Sequence, residues 1–525
     1  MAGEDVEFTL AHDAQHDGQH EPRRRHSVVA AQESTGLVVD PLDRSGRHGP
    51  AVVAEAAPGG PSLARPSGSV EIDVRAGRLR GRRAGVVDEF LGVPYAAAPV
   101  GPRRLRPPEP APAWDGVRDA TRFGAAALQP GSARARVLQG DPGVTGEDCL
   151  SLNVWTPADA PADLPVLVWV HGGAFTNGAG SVPALDGRLL AEAASAVVVT
   201  VNYRLGALGF ACHDALGTGS ANLGLRDLVA ALEWVHENAA VFGGDPGRVT
   251  LAGESAGSMC VALLSLSPEY RHLFAQVVLH SGVPALQSPE ASERAVEALA
   301  TRLGVRVAEL GSVTGARILS ATRDIAADHR FWPTATGWLA GPLADLQSAA
   351  PARPTLISTT ADEGTFFFID DEWPEDVSRD KAVSVLTGML GPDAAQRYAQ
   401  AARPATPLGT AASALTEHLY TRPADRWAAR AAAAGSTVFR AEYAHPSPAW
   451  DGRLGATHTV DIPLLFGTFA APEFAVLYEP DAQAPELSHT LQRAWSRFLH
   501  TGSPATPARA WRPWLPGGSY LQRFL

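Results

Sequence analysis

The chain has 525 residues, with 44 Lys plus Arg against 56 Asp plus Glu, and a net charge of −12 at pH 7. Its single lysine, Lys381, fits no P-loop, no Ser-x-x-Lys hydrolase and no Schiff-base cofactor site, so lysine-dependent chemistry is excluded. The acidic balance also argues against nucleic acid or an anionic membrane surface as the main partner.

Cys149, Cys212 and Cys260 are sparse and lack CxxC spacing, which predicts neither a disulfide framework nor a zinc site. No apolar run approaches the ~18 residues that a membrane-spanning helix needs. Arg23–Arg25 are not followed by a sustained apolar segment, so they do not predict an export signal. We therefore expect a soluble, cytoplasmic protein without a membrane span.

Residues 1–68 are rich in Gly, Pro, Asp, His and Arg and lack sustained periodicity, which predicts a disordered N-terminal extension before a folded domain at 69–525. His12, His16 and His20 recur every four residues in this extension. They are compatible with a metal-binding helix face, but the polar, glycine-containing surroundings favour a solvated tail.

From residue 69 onward, short apolar runs alternate with longer stretches of helical periodicity. The apolar runs predict buried strands at 166–170, 197–201, 249–252, 277–279 and 355–360. A helix is predicted between the second and third strands, at 225–240, and helical insertions are predicted at 285–350 and 376–435. This alternation predicts an α/β fold with a mostly parallel central sheet and helices on both faces.

Gly253-Glu254-Ser255-Ala256-Gly257 directly follows a predicted strand and precedes a helical run. This context is typical of a sharp turn that presents a nucleophilic serine. Gly172 and Gly173 follow another predicted strand, and their backbone N–H groups, with that of Ala256, are candidates for an oxyanion hole. The alternative is a pair of ordinary glycine-rich turns with an inert serine.

A serine nucleophile needs a base, and the base needs an orienting carboxylate, in the chain order Ser, acid, His. Asp362 and Glu363 follow a predicted strand, and the pattern does not separate these adjacent carboxylates. His458 lies in a glycine-containing loop and ranks first among the downstream histidines, although the pattern does not exclude His445.

Several ordered motifs resemble the type-B carboxylesterase/lipase family, which includes the cholinesterases and bacterial para-nitrobenzyl esterases. The similarity extends over about residues 70 to 515. The motifs that carry it are Phe90–Ala96, Glu147–Trp155, Asn202–Gly206, Phe242–Pro246, the Ser255 pentapeptide, Asp362–Gly364 and the loop that contains His458.

The resemblance implies an α/β-hydrolase fold and a serine carboxylesterase that hydrolyses carboxylic esters through an acyl-enzyme. It implies Ser255 as the nucleophile, His458 as the base and Glu363 as the acid; choosing Glu363 over Asp362 rests on the family. It implies no metal ion and no organic cofactor, and the expected partner is a small-molecule ester.

The same resemblance implies roles for groups around these three side chains. They are Gly172, Gly173 and Ala256 as oxyanion-hole donors, Ser281 in the family's Gln-Ser-Gly position and Asp461 as support for the histidine, and Arg204 with Asp227 as a structural ion pair.

The chain also departs from the family pattern. Phe123–Ala127 contains alanine where secreted relatives carry a cysteine, so Cys149 is expected to be a free, buried thiol. No tryptophan lies between Ala127 and Cys149, where cholinesterases use one to bind a quaternary ammonium, so a choline ester is not the expected substrate. Asp461 replaces the usual glutamate, and Thr336-Gly337 replaces Asp-Gly.

Phe331, Trp332 and Phe366–Phe368 are candidates for an apolar acyl pocket, with ordinary core packing as the alternative. Two other functions remain open at this level. One is a non-catalytic, cholinesterase-like binding domain, and the other is an amide or carbamate hydrolase with the same catalytic residues.

Overall fold

The computed structural model describes residues 68–159, 161–217, 219–323, 325, 329–341, 343–349, 352–369, 377–401, 406–515 and 520–525. The predicted N-terminal extension, with Arg23–Arg25 and the histidines at 12, 16 and 20, lies outside these residues, except for Gly68, which begins the first strand.

The strands are β1 (Gly68–Val74), β2 (Gly77–Ala84), β3 (Val87–Pro94), β4 (Val117–Asp119), β5 (Ala126–Ala127), β6 (Thr145–Gly146), β7 (Ser151–Pro157), β8 (Leu164–Val170), β9 (Val197–Val201), β10 (Gly244–Glu254), β11 (Gln276–His280), β12 (Thr355–Thr360), β13 (Val438–Tyr443) and β14 (Gln522–Phe524). The five strands predicted from apolar runs correspond to β8 to β12 and are confirmed.

One large sheet has the order β1-β2-β3-β7-β9-β8-β10-β11-β12-β13-β14, with β4 paired to β2. The pairs from β1 to β9 along this order are antiparallel, and every pair from β9 to β14 is parallel. The predicted mostly parallel centre is therefore confirmed. All seven residues of β8 are buried, as expected for a strand that is covered on both faces.

The α-helices are α1 (Ala133–Gln139), α2 (Arg188–Ala194), α3 (Gly206–Phe210), α4 (Leu223–Asn238), α5 (Ala256–Ser265), α6 (Pro289–Leu303), α7 (Gly315–Thr322), α8 (Leu343–Ala349), α9 (Arg379–Leu390), α10 (Ala394–Gln400), α11 (Pro407–Leu415), α12 (Arg422–Ala433), α13 (Ile462–Phe466), α14 (Ala475–Tyr478) and α15 (Ala484–Thr501). A π-helix, Thr416–Thr421, joins α11 to α12.

The two faces of the sheet pack into separate hydrophobic cores. In β8, Val166, Val168 and Val170 belong to one core, while Leu167 and Trp169 belong to the other. This alternation follows from the period of two along a strand, and helices complete both cores. The predicted 225–240 helix is α4 followed by a 3₁₀ turn, and α6 to α12 occupy the two predicted helical insertions.

The carboxyl ends of β8, β10 and β12 lead directly into the three segments that the sequence singles out: the Gly172 loop, Ser255 and Glu363. Parallel strands bring such segments together at one edge of the sheet, which is where open α/β sheets bind ligands. Within the described residues, no helix is both long and apolar enough to cross a membrane.

A buried ion pair fixes the chain between β9 and α4. Arg204 Nη2 lies 2.6 Å from Asp227 Oδ1, and Arg204 Nε donates to Asp227 Oδ2 at 2.8 Å. Both side chains are buried, and Arg204 Nη1 also donates to the Arg106 carbonyl at 2.7 Å. The ion pair implied by the family resemblance is thus present.

We predict that Asp227→Asn lowers the free energy of unfolding by about 3 kcal/mol, because it leaves a buried guanidinium without its counter-charge. Thermal or urea unfolding measures this change. Asp73→Asn, which removes the charge from the exposed Arg78–Asp73 pair, is the matched control and should cause no resolvable change. Equal losses in both variants would contradict the prediction.

Candidate active site

Ser255 lies on a sharp turn between β10 and α5, with a φ of 53° and a ψ of −123°. The turn requires glycine on both sides, because a side chain at either position would collide with neighbouring backbone. A Cβ on Gly253 would lie 2.6 Å from the Gly257 carbonyl oxygen, and one on Gly257 would lie 2.1 Å from the Val170 carbonyl oxygen. The glycines of the pentapeptide are therefore explained by close backbone packing.

The Gly172 loop lies directly beside this turn. A Cβ on Gly172 would lie 2.9 Å from Ser255 Cβ, and Gly173 has a φ of 114°. Among the described residues, no hydrogen bond occupies the N–H groups of Gly172, Gly173 or Ala256, the first residue of α5. Free backbone donors next to a serine are suited to stabilise an oxyanion.

His171 holds the same loop from behind. Its ring is buried and stacked on Tyr203, and the Tyr203 hydroxyl donates to the His171 carbonyl at 3.0 Å. Burial lowers the pKa of His171 to about 4, so the ring is neutral near pH 7, and its Nδ1 lies 2.8 Å from the Gly172 carbonyl oxygen. A neutral imidazole donates there through Nδ1–H.

The structure gives the two adjacent carboxylates, Asp362 and Glu363, different hydrogen-bond partners. Glu363 Oε2 lies 2.5 Å from His458 Nδ1, and Glu363 Oε1 accepts the Thr360 N–H at 2.8 Å. Asp362 instead accepts the Ala456 N–H at 2.9 Å, which attaches the loop of the acid to the loop of the histidine. Only Glu363 is placed to orient the imidazole of His458.

His445 is paired elsewhere: its Nε2 lies 2.8 Å from Asp481 Oδ2. His458 is therefore the histidine that the fold brings to the carboxyl edge with Glu363. No hydrogen bond joins Ser255 Oγ to His458 Nε2 among the described residues. Catalytic hydrogen bonds of this kind often tighten only when substrate is bound.

Glu254 is a site residue that the sequence analysis did not single out. Its Oε1 lies 3.0 Å from His458 Nε2, without the alignment of a hydrogen bond. Both carboxylate oxygens are buried, and neither has a hydrogen-bond partner among the residues that the structure describes. Glu254 is the second residue of the Gly253–Gly257 pentapeptide, but nothing in the sequence pattern shows that its side chain turns toward His458.

The buried charges around His458 shift each other's proton affinities. Burial raises the pKa of Glu254 to about 7, although His458 opposes this shift. Burial alone would lower the pKa of His458, but the negative charges of Glu254 and Glu363 outweigh it, so the pKa lies above its usual value. The imidazole therefore takes up a proton more readily than a free histidine does.

Aromatic side chains form one wall of the site. The rings of Phe366 and Tyr420 lie 5.1 and 5.0 Å from the ring of His458. Tyr420 belongs to the π-helix, and no sequence signal pointed to it. Trp332 packs on Phe175, in the loop that follows Gly173.

Two of the remaining aromatic candidates, Phe331 and Phe368, are buried in the core, and the third, Phe367, packs edge-on against Phe366 with ring centres 5.4 Å apart. Of the aromatic residues predicted to line an acyl pocket, Phe366 lies next to His458, and Tyr420 contacts the same imidazole.

Ser281 and Asp461, the residues expected to support His458, lie next to a second histidine, His280. Asp461 contacts His280 Nε2 at 3.0 Å, and the buried Ser281 hydroxyl has no hydrogen-bond partner within the described part of the chain. Burial alone would lower the pKa of His280, but Asp461 opposes it, and the pKa lies above its usual value. His280 had no distinguishing sequence context.

Cys149 is a free, buried thiol, as predicted, and burial raises its pKa to about 12. A thiol with such a high pKa is not a nucleophile near neutral pH. In the part of the chain that the structure describes, no group of three or more His, Cys, Asp or Glu side chains could hold a metal ion.

Comparison with known proteins shows which family the chain resembles. Residues 68–522 match the model of the carboxylesterase family. The chain is 35% identical to the para-nitrobenzyl esterase of Bacillus subtilis (strain 168) over 84% of this chain and 91% of that protein. It is 35% identical to the phenmedipham hydrolase of Pseudarthrobacter oxydans over 79% of this chain and 86% of that protein.

A solved structure of a Geobacillus stearothermophilus carboxylesterase superimposes with a TM-score of 0.76 and 33% identity, covering 86% of this chain and 96% of the other.

We predict that Glu254→Gln moves the acid limb of the kcat/KM pH profile to lower pH by about one unit. The base must be neutral to act, and removing a negative charge 3.0 Å from Nε2 lowers the pKa of His458, so the neutral form persists to lower pH. Steady-state kinetics with a para-nitrophenyl ester measures the inflection. Glu269→Gln, at an exposed glutamate, is the control. An acid limb that stays in place in Glu254→Gln would contradict the assignment of this charge.

Proposed function

Given that this chain belongs to the carboxylesterase family and is a carboxylic ester hydrolase, we propose that Ser255, His458 and Glu363 carry out its reaction. The observation that carries this assignment is the buried contact of 2.5 Å between Glu363 Oε2 and His458 Nδ1, beside the turn that presents Ser255. The contact fixes the imidazole through Nδ1 and leaves Nε2, the other ring nitrogen, as the one that exchanges a proton with the reacting groups.

In the first half of the reaction, neutral His458 accepts the proton of the Ser255 hydroxyl through Nε2 as Oγ attacks the ester carbonyl carbon. A tetrahedral intermediate forms, and its oxyanion accepts hydrogen bonds from Gly172, Gly173 and Ala256. The intermediate collapses when the carbon–oxygen bond to the alcohol breaks. Protonated His458 donates its proton to the departing alkoxide, and the acyl group remains on Ser255.

In the second half, His458 accepts a proton from a water molecule that attacks the acyl carbonyl. The new tetrahedral intermediate releases the carboxylic acid, and the proton returns to Ser255. The charge of Glu363 stabilises the imidazolium that forms in each half. Each oxyanion-hole donor supplies about 3 kcal/mol of transition-state stabilisation in enzymes of this type.

The experiment compares three variants in para-nitrophenyl acetate and butyrate hydrolysis. Ser255→Ala should reduce kcat to the background rate, because no other nucleophile is proposed. Glu363→Gln should reduce kcat by about 10³-fold or more, because an amide no longer stabilises the imidazolium or selects its tautomer. Asp362→Asn is the matched control and should stay within about tenfold, since the amide oxygen still accepts the Ala456 N–H.

The pair of adjacent variants makes the outcome decisive. A larger loss in Asp362→Asn than in Glu363→Gln would reverse the assignment of the acid, and an active Ser255→Ala would exclude the nucleophile. Wild-type protein that hydrolyses neither ester would favour a binding domain. One relative is named as a phenmedipham hydrolase, so phenmedipham belongs in the substrate panel together with matched esters and amides.

We also propose that the enzyme works in the cytoplasm. The support is chemical: Cys149, Cys212 and Cys260 are all free thiols, which a reducing compartment preserves. Activity measured in fractions of the source cells should follow a cytoplasmic marker. Recovery of the activity from the external medium would contradict this location.

A further inference from the structure

His280 occupies the junction between the strands that lead to the catalytic residues. It is the last residue of β11, which lies between β10 and β12, and it is aligned with Glu254 on one side and Ser358 on the other. Its side chain is only 3% exposed. A buried imidazole at this point is not required by the proposed reaction.

Three contacts extend from this one residue. The His280 carbonyl accepts the N–H of Ser255 at 2.9 Å. Its Nδ1 is hydrogen-bonded to Ser358 Oγ at 2.6 Å. Its Nε2 lies 3.1 Å from Asp461 Oδ1 and 3.0 Å from Asp461 Oδ2, and Asp461 is itself 3% exposed.

Each contact reaches a different part of the catalytic apparatus. Ser255 is the nucleophile itself. Ser358 lies on β12, two residues before Thr360, whose N–H donates to Glu363. Asp461 follows His458 by three residues and directly precedes α13. The nucleophile, the acid and the base thus have one buried residue in common.

The imidazole has little freedom to turn. Trp169 and Trp495 each lie 6.4 Å from its ring, ring centre to ring centre, and its two nitrogens have partners in different directions. The backbone on both sides is also held, because the next residue, Ser281, donates its N–H to the Ser358 carbonyl at 2.8 Å. Asp461 has a shorter side chain than the glutamate that is usual in the family at this position, and the imidazole of His280 contacts its carboxylate.

We propose that His280 is a positioning residue for ester hydrolysis: its carbonyl holds the segment of Ser255, and its buried imidazole links the segments of Glu363 and His458. This proposal rests on the proposed function of those three residues. A displacement of about 1 Å in a catalytic group is enough to reduce a rate about 100-fold, so a residue that touches all three segments has a large effect on kcat without touching the substrate.

The test compares His280→Leu with His280→Gln and with a matched pair elsewhere. Leucine removes both hydrogen bonds, whereas the glutamine amide retains one acceptor for the Ser358 hydroxyl and one donor for Asp461. His445 is the control, because it forms another largely enclosed His–Asp pair, with Asp481 at 2.8 Å. The measurements are kcat and KM for para-nitrophenyl butyrate, together with the melting temperature.

We expect His280→Leu to lose about 100-fold in kcat while KM stays within about threefold. His280→Gln should recover kcat to within about fivefold of wild type, since its amide restores the two contacts. His445→Leu should lower the melting temperature comparably but keep kcat within about twofold. This pattern separates positioning from general loss of stability.

A His280→Leu variant with kcat within threefold of wild type would overturn the proposal, and so would equal losses of kcat in His280→Leu and His445→Leu. If His280→Leu does not fold, Ser358→Ala and Asp461→Asn replace it. Each should lose about tenfold in kcat, and unchanged values in both would overturn the proposal.

Different experimental results would overturn the two proposals. An active Ser255→Ala would overturn the proposed function itself. An inactive Ser255→Ala together with an unaffected His280→Leu would overturn only the positioning role.

Discussion

Ser255 has a φ of 53° and a ψ of −123°, a conformation that a residue with a side chain adopts only when its surroundings hold it there. The surroundings are the backbones of β8 and α5, which approach so closely that Gly253 and Gly257 have no room for a Cβ. This turn places the serine at the edge of the sheet and starts α5 with a free N–H at Ala256. The position of Ser255 and the N–H at Ala256 therefore follow from one strained residue, whereas Gly172 and Gly173 belong to the loop after β8.

The turn alone does not make a site, because the groups that act on Ser255 come from distant parts of the chain. Glu363 arrives on the loop after β12, and His458 arrives on a loop after β13. Two hydrogen bonds join these loops. The Asp362 carboxylate accepts the Ala456 N–H, and the Asp362 N–H donates to the Ala456 carbonyl at 2.9 Å. The adjacent carboxylates thus have different contacts: Asp362 joins the two loops, and Glu363 contacts the imidazole of His458.

Charge is concentrated in this small buried volume. Glu254, Glu363 and Asp461 face two imidazoles, His458 and His280. Negative charge near His458 stabilises the imidazolium that ester hydrolysis requires, but it also makes the imidazole easier to protonate beforehand. With His458 as the proposed base, the same charges stabilise the transition state and reduce activity at acidic pH. Asp461 is paired with His280 and therefore affects His458 indirectly, through the surrounding structure.

The sequence by itself determined the elements whose signals are local. Continuous apolar runs predicted β8 to β12, because strands buried on both faces need apolar residues at every position. The glycine spacing around Ser255 predicted the turn, because close backbone contact leaves no alternative to glycine. Ordered motifs identified the family and singled out Glu363 and His458. Only the tertiary structure turned Glu254 toward the histidine, placed Tyr420 over the imidazole and brought His280 between three segments. It also set Glu363, the carboxylate that the family resemblance implied, against His458. These choices depend on side-chain direction and on contacts between residues tens to hundreds of positions apart, and no local pattern in the chain encodes either.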